Sequence, residues 1–373
     1  METWIVNVCL TFLLCVLFAG IVIPQVLLVA FRRRLFDVPD ERKIHKTVVP
    51  RLGGIAFKPV IFFSIFLLLG INMASGHLDM LTAITHNIRP LAFGFCAIML
   101  LYLVGMADDL IGVRYRIKFV IQILCGVLLI AGGMCIDNLY GVLGLHELPT
   151  WVGQLLVLLL VVFIINAINL IDGVDGLASG LCGCAFLLYG LIFFFLEQYI
   201  YAMLSFATLG VLVPFFYYNV FGNAERGRKI FMGDTGSMTI GMMLCFLSIK
   251  LASCASAGAH TPNPMILAFS PLLIPCLDVM RVFLHRVRNK KDPFLPDKNH
   301  IHHKILSAGI RERPTMIILI SLAIAFTAFD IQLSLYIDIN YIVIADILIW
   351  TAANSWLSNK IKQKNVDLVP KST

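Results

Sequence analysis

The sequence predicts an all-α fold, a polytopic bundle of membrane-spanning helices. Three observations predict it. Of 373 residues, 59% are hydrophobic and 14% charged, against about a quarter charged in an ordinary soluble domain. The mean hydropathy of +0.89 is too high for a soluble protein with one anchor. The apolar residues also fall in runs of about 20, the length that crosses a bilayer as a helix. No long polar segment is left to fold separately, so residues 1–357 read as one integral-membrane domain and 358–373 as a cytosolic tail.

The first run covers residues 5–31 and stops at Arg32, Arg33 and Arg34. A signal peptide carries its charge before a shorter run, so this one reads as an uncleaved helix with its N-terminus outside. Further spans fall near 55–74, 89–107, 117–134, 151–171, 177–196, 199–219, 236–253, 264–285, 314–330 and 339–357, about eleven in all. Alternate connections, 32–54, 108–118, 220–235, 286–313 and 358–373, hold 25 of the 29 Lys and Arg residues. The opposite set holds Arg89 and Lys250. The positive-inside rule then places the C-terminus and the basic loops in the cytosol. The net charge of +7 is thereby accounted for at a membrane surface, and no nucleic acid is expected as a partner. The ten cysteines lie mostly in apolar runs, without metal or redox spacing, and read as small buried residues.

The polar clusters share the side of the basic loops. Outer connections 75–88, 135–150, 254–263 and 331–338 hold nothing comparable. Within the spans, Lys58 and Asp278 lie near cytosolic ends and the central positions read as apolar. That one-sidedness favours an interfacial active site over a transporter, which places such groups near the midplane, and over a non-catalytic scaffold.

The stretch around which the chain is organised follows the run Trp151 to Ile165: Asn166, Asn169, Asp172 and Asp175. Spacings of three put neighbours on one helix face, and Gly173 and Gly176 mark where the helix loosens. Polar groups at a membrane edge are costly, which favours function over a solvated acidic loop. Asp108 and Asp109 close the third span. Adjacent carboxylates repel and call for a cation, and a few hard oxygen ligands beside phosphate suit Mg²⁺. Lys118 follows and would bring an ammonium over the same site, although interfacial snorkelling alone would explain it. Asp234, in Phe231-Met-Gly-Asp-Thr-Gly-Ser237, precedes an apolar helix and reads equally as its N-cap or as part of an anion site. His300, His302 and His303 stand with Lys298 and Lys304. They make a metal site or, given the lysines, positively charged donors to a diphosphate. The first cytosolic loop carries Asp37, Lys43, His45, Lys46 and Arg51 before Gly53-Gly54. A basic loop beside anionic lipid needs no special role.

Together these segments resemble the polyprenyl-phosphate N-acetylhexosamine-1-phosphate transferases, glycosyltransferase family 4, over about residues 32–310. The matches are Asp37-Val-Pro with Arg42-Lys43, His45, Pro50 and Gly53-Gly54; Asp108-Asp109 with Lys118; Asn166, Asn169, Asp172 and Asp175; Gly233-Asp234; and His300, His302 and His303. The resemblance implies a helical membrane bundle with a cytosol-facing cleft and a lipid groove, in the bacterial inner membrane. It implies transfer of HexNAc-1-phosphate, most readily GlcNAc-1-phosphate, from a UDP-sugar to undecaprenyl phosphate, as the first membrane step of a cell-envelope glycan. The phospho-MurNAc-pentapeptide transferase is the alternative, and an ion-coupled transporter is the rival from another class. Mg²⁺, with Mn²⁺ as a substitute, would be held by Asn169 and Asp234. Catalysis would fall to Asp108, Asp109, Asp172, Asp175 and His302, with direct attack aided by Asp108 or Asp109. Substrate contacts would fall to Asp37, Lys43, His45, Lys118, Asn166, His300 and His303. Membrane lipids are further partners, and a homodimer is compatible with the family.

Overall fold

A computed structural model describes residues 1–33, 35, 49–255, 261–290, 292 and 299–367. The chain is helical: α1 (Glu2–Arg33), α2 (Phe57–Ala74), α3 (Asp79–His86), α4 (Ile88–Ile111), α5 (Tyr115–Ala131), α6 (Thr150–Ile171), α7 (Leu177–Phe195), α8 (Tyr199–Val220), α9 (Gly233–Cys254), α10 (Pro264–Phe269), α11 (Leu273–Arg288), α12 (Ile301–Ser307), α13 (Glu312–Leu333) and α14 (Ile339–Asp367). Among the described residues there is no strand, only an isolated bridge between Asn138 and Glu147.

Among the described residues, ten segments are long and apolar enough to cross a membrane. The expected eleventh, near 117–134, is α5. Its 17 residues reach about 26 Å, short of the ~30 Å hydrocarbon core. Its run is trimmed by the polar start Tyr115-Arg116-Ile117-Lys118 and by Gly132-Gly133. The span over Pro264–Arg288 is broken, since Ser270–Leu272 forms a tighter turn around Pro271 between α10 and α11. Near this break Tyr189 donates to the Ala268 carbonyl at 2.5 Å. Such a partner lets a helix be interrupted inside a membrane.

The bundle is organised around α9. Of its apolar stretch 83% is buried inside the protein, against 22% for α1 at the periphery. Helices α4 and α6 flank it most closely. Without a hydrophobic driving force between helices in lipid, small residues decide such contacts. Gly105 on α4 is one: a Cβ there would stand 2.6 Å from the Thr235 Cα. This fit sets the end of α4 against the start of α9.

One expectation is corrected. The central positions are not all apolar: Asp346, inside the 339–357 span, is buried, as is Asp330 at the end of the 314–330 span. Ser270 at the helix break donates to Asp330. Near the end of α13, Asp330 lies far along the bundle from α12 and its histidines.

Candidate active site

The fit of α4 on α9 places three carboxylates together. Asp109, in the last turn of α4, accepts from the Asp234 N–H at 2.8 Å, the Thr235 N–H at 2.8 Å and the Thr235 hydroxyl at 2.5 Å. It therefore satisfies the free donors at the start of α9 from a neighbouring helix, and its charge suits that helix end. The N-cap reading of Asp234 is thereby corrected: Asp234 lies inside the first turn and its side chain is free for other contacts. Gly233 makes the approach feasible. Its φ is +72°, and a Cβ there would run into the Arg51 carbonyl and stand 2.6 Å from Asp109 Oδ2.

Asp108 takes the Val113 N–H on Oδ1 at 2.7 Å and the Lys118 ammonium on Oδ2 at 3.1 Å. The same ammonium lies 2.7 Å from Asp234 Oδ2. Asn169 donates to Asp234 Oδ1 at 3.3 Å and to the Ser237 hydroxyl at 2.8 Å. Oxygens of Asp108, Asp109 and Asp234 all lie within 4.8 Å of one another. Two of the three carboxylates, Asp108 and Asp234, thus share one ammonium, in side chains that remain partly open to solvent. This oxygen-rich, negatively charged set fits a hard divalent cation, and Lys118 Nζ already occupies the position of a bridging positive charge.

The Asp172–Gly176 loop follows α6. Burial pushes the Asp172 carboxyl up to about 7, helped by the charges of Asp234 and Asp175 and opposed by Arg51. Asp175 is paired with Lys229. Asn219 accepts from the Gly176 N–H at 2.6 Å and donates to the Ile230 carbonyl at 2.9 Å, which ties this loop to the segment leading into α9. Asn166 lies a turn before Asn169 and spends its amide on Gln122 at 2.8 Å and the Val162 carbonyl at 2.7 Å. It fastens α6 to α5, and none of these contacts is to the carboxylates.

The histidines form the facing wall. Asp278, fully buried, accepts from the Ile301 N–H at 3.0 Å and from Arg281 at 2.8 Å, and lies 2.8 Å from His300 Nδ1. It sets the orientation of His300 and the start of α12. His300 and His302 are nearly parallel, with ring centres 5.8 Å apart, and His303 lies 4.2 Å from His302. His302 abuts the Asp172 loop, because a Cβ on Gly173 would collide with its Nε2. Burial, aided by His303 and His300 against the pull of Asp278, brings His302 down to about 3. His302 is therefore neutral at physiological pH. Its expected positive charge is replaced by an imidazole, with Nδ1 buried and unpartnered.

The structure brings Asp108, Asp109, Lys118, Asn169, Asp172 and Asp234 together, with Asp175 and His300, His302 and His303 around the adjoining loop. Asp37, Lys43 and His45 lie outside the described residues. Sequence reasoning missed Lys229 and Asn219. In sequence Lys229 reads as one more basic anchor in the 220–235 loop, and Asn219 closes an apolar run without a motif.

A family model for glycosyl transferase family 4 matches residues 91–252. The chain is 32% identical over 302 residues to the undecaprenyl-phosphate alpha-N-acetylglucosaminyl 1-phosphate transferase of Salmonella typhi, covering 80% of this chain and 76% of the relative. The protein of that name from Escherichia coli (strain K12) is 31% identical, with the same coverage of both chains. That of Pasteurella multocida is 32% identical over 296 residues, covering 79% of this chain and 77% of the relative.

Proposed function

The chain belongs to glycosyl transferase family 4, and from that premise we propose that it transfers GlcNAc-1-phosphate from UDP-GlcNAc to undecaprenyl phosphate, releasing UMP, on the cytosolic side of the bacterial inner membrane. The observation that carries this reading is the Asp108–Lys118–Asp234 bridge with Asn169 behind it, at the end of the bundle where the basic loops lie.

The reaction joins two anions. An oxygen of the lipid phosphate attacks the β-phosphorus of the UDP-sugar, and the bond to the UMP oxygen breaks in line with it. Charge neutralisation and positioning carry most of such a reaction. Asp234 and Asn169, with Asp108 beside them, would hold Mg²⁺, which when bound supplies positive charge to the diphosphate oxygens. Lys118 adds an ammonium that can move from carboxylate to phosphate. Asp109 keeps the first turn of α9 in place and thereby aims Asp234. Asp172, pushed up to about 7, is the carboxyl best suited to exchange a proton with the acceptor phosphate near neutral pH. His302, neutral, serves as a hydrogen-bonding partner and packs against the loop that carries Asp172. Asp278 holds His300 in register.

The test is transfer of label from UDP-GlcNAc to undecaprenyl phosphate by the purified chain with Mg²⁺. Label should appear in a lipid diphosphate with UMP in equal amount. Absence of lipid product from every UDP-HexNAc offered would refute the proposal. Transfer only from UDP-MurNAc-pentapeptide would move the chain to the peptidoglycan branch.

A further inference from the structure

Lys58 is the second residue of α2. The turn before it, Gly53–Ala56, is bonded to the segment entering α9: Gly53 N–H donates to Phe231 at 2.9 Å and Gly54 N–H to Met232 at 2.9 Å. Lys58 therefore lies at the active-site end of the bundle, yet it joins none of the carboxylates there. Its side chain is buried, at 5% exposure. The ammonium stands 5.1 Å from the Phe62 ring centre and 5.5 Å from that of Tyr102. Its hydrogen-bond acceptor is the Met99 thioether. Among the described residues no carboxylate pairs with it.

An ammonium has three N–H donors, and a thioether is a weak acceptor. Two aromatic faces attract the charge but offer no oxygen. A buried cation at a membrane edge without an oxygen partner is costly, and its presence calls for a counter-group. The surroundings indicate where that group comes from. Helix α2 packs on α1 and α8, and α4 packs on α9 and α5, which leaves a seam between α2 and α4. Along it Phe66, Met99 and Leu103 are exposed, and Phe62 and Phe95 stack with ring centres 4.8 Å apart. Lys58 thus lies toward the active-site end of an apolar seam at which Phe66 and Met99 are exposed, with the flexible Met99 side chain as its cover.

We infer that the α2–α4 seam binds an anionic glycerophospholipid, with acyl chains along Phe62, Phe66 and Phe95 and the phosphodiester on Lys58. The occupant is not the acceptor in its reacting position. Met99 and Tyr102 precede Asp109 on α4 by roughly 10–15 Å at the helical rise, too far for one phosphate to touch both Lys58 and the Asp109 end. The lipid would brace α4, which carries Asp108 and Asp109, from its outer side.

The experiment uses the full chain in nanodiscs of phosphatidylcholine alone or doped with phosphatidylglycerol. Lipids retained on release are counted by native mass spectrometry for wild type, Lys58→Arg and Lys58→Met. Wild type and Lys58→Arg should retain one phosphatidylglycerol in preference to phosphatidylcholine. Lys58→Met should lose that preference by about tenfold, the scale of one charge-assisted hydrogen bond. The KM for undecaprenyl phosphate should be the same in all three. No preference in wild type, or an undiminished one in Lys58→Met, overturns the assignment. A raised KM for undecaprenyl phosphate with unchanged phosphatidylglycerol retention gives the site to the acceptor and likewise overturns it. If Lys58→Met does not fold, the wild-type preference and its persistence in Lys58→Arg decide. None of these lipid counts depends on which sugar the enzyme transfers.

Discussion

Two of the groups of acidic side chains in this bundle differ in their surroundings. Asp108, Asp109 and Asp234 come from two helices and stay partly open to water; Asp108 and Asp234 share an ammonium from a third helix, and Asp109 takes the donors at the start of α9. Asp330 and Asp346 are buried, and Asp330 accepts from the Ser270 hydroxyl. The counter-charge of the first group is a lysine side chain that is itself partly exposed. The second group is sealed between helices and can change only by taking up a proton or by opening the fold. Burial of an acid in a membrane protein therefore does not by itself mark the reactive end. A partly exposed cation and a route to solvent do.

The largest expected effect is at the shared ammonium. Lys118→Met leaves Asp108 and Asp234 repelling each other, and kcat/KM in the label-transfer assay should fall by about 10²–10³-fold. A variant near wild-type activity would make Lys118 a snorkelling anchor and weaken the contrast between the two groups. Asp109→Ala tests the helix-end role. It leaves the donors of Asp234 and Thr235 unmet, and the melting temperature should drop in keeping with about 1–2 kcal/mol for a lost cap. An unchanged melting temperature would show that Asp109 does not hold α9.

The next effect is a pH dependence with two opposed contributions. The folded value of Asp172 is about 7, above its ordinary 3.8. Its contribution to stability is present below 3.8 and is lost as pH rises through about 7. His302 is brought down from 6.5 to about 3, so the unfolded chain binds the extra proton between those values. Its contribution is full above 6.5 and declines as pH falls toward 3. Histidine NMR should show His302 neutral from about pH 5 to 8, the interval in which an ordinary imidazole titrates. A midpoint near the ordinary value would return the positive charge to His302. The smallest effect is at the sealed pair. Asp330→Asn and Asp346→Asn should leave turnover unchanged and stability equal or higher, because each replaces a buried acid by a neutral group of like shape. Loss of turnover in either would couple the two ends of the bundle.

Much of the site was legible because its chemistry is written in short spacings. Asn169 and Asp172, or His300 and His302, are close in sequence and remain close in space. The spans were legible from run length, and α5 differed because polar residues at one end and glycines at the other shorten it. Roles that depend on tertiary contact were hidden. Nothing near Asp109 in sequence shows that it serves the start of α9, 125 positions away. In sequence Lys229 is one of several basic residues in its loop, and only the fold sets it beside Asp175. Asp330 and Asp346 were concealed by apolar neighbours that dominate any average over a span.

The most direct test of the central claim, that Asp234 and its neighbours form one divalent-cation site, is Mn²⁺ binding followed by electron paramagnetic resonance on the purified chain without substrates. Wild type should bind a single Mn²⁺ that Mg²⁺ displaces, and Asp234→Ala should lose it while the Asp330→Asn, Asp346→Asn double variant keeps it. Undiminished Mn²⁺ binding in Asp234→Ala, or its loss in the double variant, would contradict the account.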